Sequence, residues 1–224
     1  MANKTIKIEP IKETTFEITI EGDGDLILNG RSRQYSLSEI WRQSNPKGSD
    51  MPTQFKQPRN LWEERITAIH WEKPIEFHDE DISLYSEEEW NRYMKENRPC
   101  FLPSAFYKSF AEAFITFFKE GTGKKGTDFR RSINMHGKIY PVNFSTVRIE
   151  DNLIPINQLA TTTVLGTCNI FSGWECTILL SSADIVFPPE TVLQVVDATG
   201  KYIGIGTQRS NGFGRYHIKD VKII

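Results

Sequence analysis

The sequence predicts an α+β protein, in which strand patterns and amphipathic helices follow one another along a chain of 224 residues. The segment TTFEITIEG alternates Phe16, Ile18 and Ile20 with polar residues, which is the pattern of a half-buried strand. The segments LPSAFYKSFAEAFITFFKEG and FPPETVLQVVDATG instead carry apolar residues at helical spacing. Further strand patterns between and after these two helices complete the α+β arrangement.

Proline and glycine set the ends of the two long helices. Pro103 and Ser104 mark the start of the first helix, and Gly121 marks its end. The second helix has proline in its first turn and Gly200 after its last residue.

A long excursion separates the first strand from the first long helix. Residues 31 to about 60 are polar, contain three prolines and show no sustained period, which predicts irregular structure. Further along, Ser86 and Glu89 form a capping-box pattern that predicts the start of a short helix.

The remaining segments predict the order of elements in the core. KIYPVNFSTVRI, WECTILL and GRYHIKDVKII have the composition of strands. When the excursion is set aside, the order approximates β-α-β-β-α-β, the ferredoxin-like split βαβ arrangement. The predicted domains are therefore a core of residues 1–30 and 99–224 and an inserted, irregular or helical subdomain of residues 31–98.

The formal net charge of −2 conceals an uneven distribution of charge. Residues 61–98 hold eleven acidic side chains against five basic ones, whereas residues 119–148 hold seven basic against two acidic. Residues 31–59 hold six basic side chains against two acidic. A polyanion is expected to follow the basic segments, although each segment alone has the alternative interpretation of a solvated surface.

Composition excludes several classes of protein. No apolar run reaches the roughly 18–20 residues of a membrane span, and the first residues have no apolar signal core. A cytoplasmic protein without membrane contact is therefore expected. Cys100, Cys168 and Cys176 contain no C-x-x-C pair, and we expect buried, inert thiols. No cofactor or metal site is predicted.

A glycine-rich segment, GIGTQRSNGFGRYHI, precedes the last strand. It matches no P-loop, and too few residues follow Gly214 for a dinucleotide-binding unit. Glycines beside Arg209 and Arg215 nevertheless suit the close approach of phosphate groups. The alternative is a tight turn with a β-bulge, whose arginines form local salt bridges.

This segment, with the helix before it, resembles the C-terminal glycine-rich motif of the RAMP superfamily, the repeat-associated proteins of CRISPR effector complexes and crRNA processing. The residues that fit the motif are Gly204, Gly206, Arg209, Gly212, Phe213, Gly214 and Arg215. The helix that begins at Pro103 resembles a second RAMP segment, but Phe114 or Ile115 stands where that segment ends in arginine. The chain also resembles uncharacterised phage and prophage proteins. The resemblance implies a ferredoxin-like core that binds nucleic acid.

The resemblance implies that the glycine-rich segment lies against single-stranded RNA or DNA, with Arg209 and Arg215 near phosphates. A flexible, basic, glycine-containing loop is predicted after the first long helix, and it would continue the track. Its binding residues would be Lys124, Lys125, Arg130 and Arg131. Phe129 or Tyr140 would stack on bases, with core packing as the alternative for Phe129. The predicted function is binding without catalysis, by a homo-oligomer.

Two alternatives stay open. Some RAMP proteins are metal-independent endoribonucleases, for which His136 would be the general base, although a hairpin histidine without a role explains it as well. Asp23 and Asp25 lie where some backbone subunits carry a cleavage aspartate, but both residues also suit a turn. The other alternative is a phage assembly protein that forms homo-oligomers without nucleic acid.

Overall fold

The computed structural model describes residues 11–155 and 163–224 of the protein. The first ten residues, in which the sequence predicts no signal segment, lie outside the described residues. The strands are β1 (Glu13–Gly22), β2 (Leu26–Ile27), β3 (His70–Trp71), β4 (Pro99–Phe101), β5 (Ile133–Met135), β6 (Tyr140–Asn143), β7 (Thr146–Pro155), β8 (Thr163–Ser172), β9 (Glu175–Ala183) and β10 (Tyr216–Ile223).

Three of the helices begin close to the start signals that the sequence contains. The helices are α1 (Arg33–Ser44), α2 (Leu61–Thr67), α3 (Glu87–Glu96), α4 (Pro103–Phe117), α5 (Gly126–Ser132) and α6 (Pro189–Ala198). The predicted cap at Ser86 is confirmed, because its side chain accepts a hydrogen bond from the N–H of Glu89. Gly200 lies in a π-turn over Thr199–Ile203 that continues α6. Within the described ranges, no helix is both long and apolar enough to cross a bilayer.

The α+β class is confirmed by a main sheet that carries helices on one face. The sheet has seven strands, in the order β10-β1-β9-β6-β4-β3, with β5 also paired to β9. All of these pairings are antiparallel. β1 is a central strand, since Ile18 lies opposite Val221 of β10 on one side and Ile178 of β9 on the other.

The main core forms between this sheet and the helices α4 and α6. Phe16, Ile18 and Ile20 of β1 are fully buried in the same cluster as Phe106 of α4 and Val192 of α6. The predicted alternation of β1 is thus explained by burial of one face against two helices. These elements hold the last strand and the glycine-rich segment in place at one side of the sheet.

The acidic part of the chain packs against a second, three-stranded sheet with the order β2-β8-β7. The side chain of Arg65 is buried and donates a hydrogen bond to Thr167 Oγ1 at 2.8 Å. It also donates to both carboxylate oxygens of Asp151, at 2.7 and 2.8 Å. Trp90 belongs to a small separate apolar cluster in this region. The division of the chain into a core and an insert at residues 31–98 stays a prediction.

Two segments expected to be irregular are helical. Residues 33–44 form α1, whose N-cap Ser32 accepts a hydrogen bond from the N–H of Tyr35 at 3.3 Å. The loop predicted to be flexible after α4 contains α5, because Phe129 is inserted fully buried into the core. Neither helix has an apolar period that is long enough to be recognised in the sequence.

The cysteine prediction is confirmed. All three thiols are free and buried. Burial raises the pKa of Cys100 to about 12, and burial raises the pKa of Cys176 as well. Thiolate chemistry is therefore disfavoured at neutral pH.

Candidate nucleic-acid interface

The glycine-rich loop, residues 204–215, is closed by its own backbone. Its four glycines have φ angles of 79°, 88°, 90° and 70°. A methyl group at Gly214 would lie 1.8 Å from the carbonyl oxygen of Ile205. One at Gly206 would lie 2.6 Å from the carbonyl oxygen of Ile27. Glycine is required at these two positions because other parts of the protein backbone approach them closely.

Backbone hydrogen bonds attach this loop to the second sheet. The N–H of Thr207 donates to the carbonyl of Ile27 at 2.9 Å. The N–H of Gly214 donates to the carbonyl of Asp25 at 2.8 Å. The loop is thus held at both ends of the short strand β2, and its shape is set before any ligand arrives.

The two arginines of the glycine-rich loop have different surroundings. Arg209 donates from Nη1 to Ser109 Oγ at 3.1 Å, and the same atom lies 3.0 Å from Glu112 Oε2. The local salt bridge that the sequence left open as an alternative is therefore present at Arg209. Arg215 is partly buried, and its Nη1 has no hydrogen-bond partner among the residues that the structure describes.

The basic loop, residues 119–131, contains one basic side chain that is bound to the protein. Lys124 donates from Nζ to the carbonyl of Val186 and lies 4.2 Å from the ring centre of Phe187. Arg130 is exposed and lies 6.0 Å from the ring centre of Tyr107. Lys125 and Arg131 are both exposed.

The glycine-rich loop and the basic loop lie on different sides of α4. Arg209 contacts Ser109 and Glu112 on one side. On the other side, a methyl group at Gly126 would lie 2.6 Å from Ile115 and 3.0 Å from the carbonyl oxygen of Ala111. A strand of nucleic acid that contacted both loops would have to cross α4, and a helix is about 10 Å in diameter.

The two aromatic residues expected as stacking candidates belong to the core instead. Phe129 is completely buried, and its ring stacks on Phe114 with a centroid distance of 5.2 Å. Tyr140 is 4% exposed and donates from its hydroxyl to the carbonyl of Leu179 at 3.1 Å. The stacking interpretation was wrong for both residues, and core packing is confirmed for Phe129.

The candidate catalytic residues do not form one cluster. His136 is exposed, and its backbone N–H donates to the carbonyl of Leu179 at 2.8 Å. Asp23 Oδ1 lies 2.6 Å from His217 Nδ1. Arg148 donates to Asp25 at 2.7 Å and holds the pKa of that carboxyl below its usual value. No group of three metal-ligating side chains occurs within the described parts of the chain.

A groove beside the glycine-rich loop was not predicted. It has a volume of about 350 Å³ and is mostly apolar, with Phe101 and Ile69 among its walls. The glycine-loop groove is lined by residues 28–30, 68–70, 100–102, 104, 105, 108, 206 and 207. Lys108 and His70 are exposed at its rim, and neither forms an ion pair with another described residue. No sequence signal pointed to Lys108, because Glu112 stands four residues after it on α4, at the spacing expected for an ion pair.

Comparisons with known proteins add a distant structural similarity. No family model matches the chain. No curated protein matches it either. Among solved structures, it is similar to a chain of the "Cryo-EM structure of the Type III-B Cmr-beta bound to cognate target RNA", with a TM-score of 0.46 and 10% sequence identity. The match covers 95% of this chain and 61% of that chain. A similarity at this distance assigns neither a family nor a function.

Proposed function

We propose that the protein binds single-stranded nucleic acid, RNA or DNA, in the glycine-loop groove, on a ferredoxin-like core of the RAMP type. The strand order supports this core. β10, β1, β9 and β5 are neighbours in that order. α4 lies in the connection from β1 to β5, and α6 lies in the connection from β9 to β10. This is the order expected when two βαβ halves interleave their strands.

The observation that carries the proposal is the combination of an apolar groove and unpaired positive charge. The walls of the groove offer apolar surface to a base, and Asn29, Ser104 and Thr207 add polar groups. Lys108 stands at the rim with no acidic partner among the described residues, so it is available to a phosphate. Gly206 places the backbone of the glycine-rich loop along the groove.

The basic loop is a second contact region in the proposal. Lys125, Arg130 and Arg131 are exposed on the far side of α4 and are available to a strand that crosses this helix. The predicted homo-oligomer, the cytoplasmic location, the phage relationship and the inserted subdomain stay predictions.

The first test is the affinity of the protein for labelled single strands. Fluorescence anisotropy with single-stranded RNA, single-stranded DNA and duplex DNA at two salt concentrations should show salt-dependent binding to a single strand. Lys108→Ala should weaken this binding several-fold and lower the salt slope by about 0.7, because one phosphate contact is lost.

Lys95 provides the matched control. It is an exposed lysine on the helix α3 and lies outside the groove. Lys95→Ala should leave both the affinity and the salt slope unchanged. Equal effects of the two substitutions, or no binding of any single strand at low salt, would remove the groove from the function of the protein.

A further inference from the structure

A second cavity adjoins the glycine-loop groove. It has a volume of about 530 Å³ and shares Asn29, Gly30 and Ala68 with the groove. The N–H of Gly30 donates to the carbonyl of Ala68 at 2.8 Å, so these two residues form the ridge between the cavities. Gly30 has no side chain and Ala68 has only a methyl group, so neither residue places a large side chain between the two cavities.

An aromatic ring and a cation lie together in the second cavity. The side chain of Tyr35 is 48% exposed, which leaves a large part of its ring open to solvent. The guanidinium of Arg31, which is also exposed, lies 5.5 Å from the centre of this ring. An exposed aromatic ring beside an arginine is the combination that proteins use to hold successive bases and phosphates of a single strand.

Arg31 is the cation of this cavity that is available to a ligand. The other arginine there, Arg59, donates from Nη2 to Glu64 Oε2 at 2.7 Å and is neutralised by it. Arg31 has no acidic partner among the residues that the structure describes. The cavity therefore carries a net positive charge, which favours a polyanion over an apolar ligand.

The backbone of Tyr35 is held in a defined position. Its N–H donates to Ser32 Oγ, which fixes the residue in the first turn of α1. A stacking residue on a helix orders less of the backbone on binding than one on a mobile loop, and so costs less conformational entropy.

We propose that Tyr35 is a stacking platform for one base of a single strand that leaves the glycine-loop groove over Gly30, and that Arg31 contacts the adjacent phosphate. This inference rests on the proposed function and extends it to the segment 31–98. It assigns to that segment a direct role in binding.

The test combines affinity with photocrosslinking. Single-stranded RNA that contains 5-iodouridine is bound to the full chain and irradiated, and the crosslinked peptide is identified by mass spectrometry. The crosslink should map to Tyr35, persist in Tyr35→Phe and disappear in Tyr35→Ala. Tyr35→Ala should weaken binding about 5- to 100-fold, as expected for the loss of one stacked base.

Tyr202 supplies a matched control. It is 51% exposed, and Lys201 Nζ lies 5.4 Å from its ring centre, but it lies outside both cavities. Tyr202→Ala should bind as the wild type does. An unchanged circular dichroism spectrum and thermal midpoint would show that Tyr35→Ala remains folded.

The outcomes separate this inference from the proposed function. If Lys108→Ala weakens binding while Tyr35→Ala does not and no crosslink reaches Tyr35, the stacking platform is refuted and the groove is retained. If the wild type binds no single strand, both proposals are wrong. A crosslink at Tyr35 with loss of affinity in Tyr35→Ala supports both.

Discussion

The glycine-rich loop and the basic loop look alike in the sequence, since both combine glycines with lysine or arginine, yet their glycines are present for different reasons. In the glycine-rich loop, methyl groups at Gly206 and Gly214 would meet backbone oxygens within 2.6 Å. In the basic loop, methyl groups at Gly121 and Gly123 would meet nothing within 4 Å. Close packing of the backbone thus explains Gly206 and Gly214, whereas Gly121 and Gly123 serve only their turn geometry; Gly126 of the basic loop is packed as well.

The charges of the two loops differ in the same way. Arg209 is occupied by Glu112, and Lys124 by the carbonyl of Val186, so that one basic residue of each loop is committed to the protein. Lys108, which belongs to neither loop, is a cation beside the glycine-rich loop that has no acidic partner among the described residues. Glycine and positive charge in one stretch of sequence therefore do not identify which cations are free to bind.

The largest difference between the loops should appear in stability. Gly214→Ala places a methyl group 1.8 Å from a backbone oxygen at a φ of 70°, and it should cost about 3 kcal/mol or more of the free energy of unfolding. Gly123→Ala meets only an unfavourable φ of 66° and should cost about 1 kcal/mol. Urea denaturation of both variants measures the difference. Equal losses would mean that the glycine-rich loop is not packed as described.

A smaller difference should appear in binding. The double variant Lys125→Ala with Arg131→Ala removes two exposed charges on the side of α4 away from the groove. It should weaken binding of a single strand less than Lys108→Ala alone, because its charges lie farther from the groove. Anisotropy at low salt measures both. A greater loss in the double variant would place the main binding surface on the basic loop.

The smallest expected effect concerns the stability of the protein at acid pH. The hydrogen bonds from Arg148 and Ser172 lower the pKa of Asp25 below 3.8, and the backbone of Asp25 holds Gly214. A pKa that is lower in the folded state stabilises the protein above about pH 3.8, and this contribution is lost as the pH falls through the folded-state pKa.

Arg148→Gln tests this contribution. It should lower the free energy of unfolding only slightly at pH 7, since the pair is exposed to solvent, and the difference should shrink below pH 3.8. Urea denaturation at several pH values measures it. A difference that is constant down to pH 2 would contradict the role of Asp25 ionisation.

The long helices and β1 were predictable because their signals are local. A capping residue, an apolar period and an alternating strand are contained within a few turns of chain, as at Ser86 and Pro103. α1 was missed because part of its support is distant in sequence. The N–H of Gln34 donates to Glu63 Oε1 at 2.8 Å, across 29 positions of the chain.

The groove and the second cavity were not predictable from the sequence for the same reason. Their walls come from segments that lie far apart in the chain, including residues 28–30, 68–70 and 206–207. Arg31 and Tyr35 belong to the basic stretch of residues 31–59. Nothing in the neighbouring sequence distinguished them from Arg59, which Glu64 neutralises. Pairing between charges depends on which side chains the fold brings together.

The sequence by itself determined the α+β class, the start of the main helices and the burial of the thiols. These features follow from backbone preferences and from the period of apolar residues, which act over short stretches of chain. Only the tertiary structure decided which atoms approach Gly206 and Gly214, and which cations remain unpaired. Those properties depend on contacts between distant segments, since a close approach or an ion pair exists only once the core has brought its two partners together.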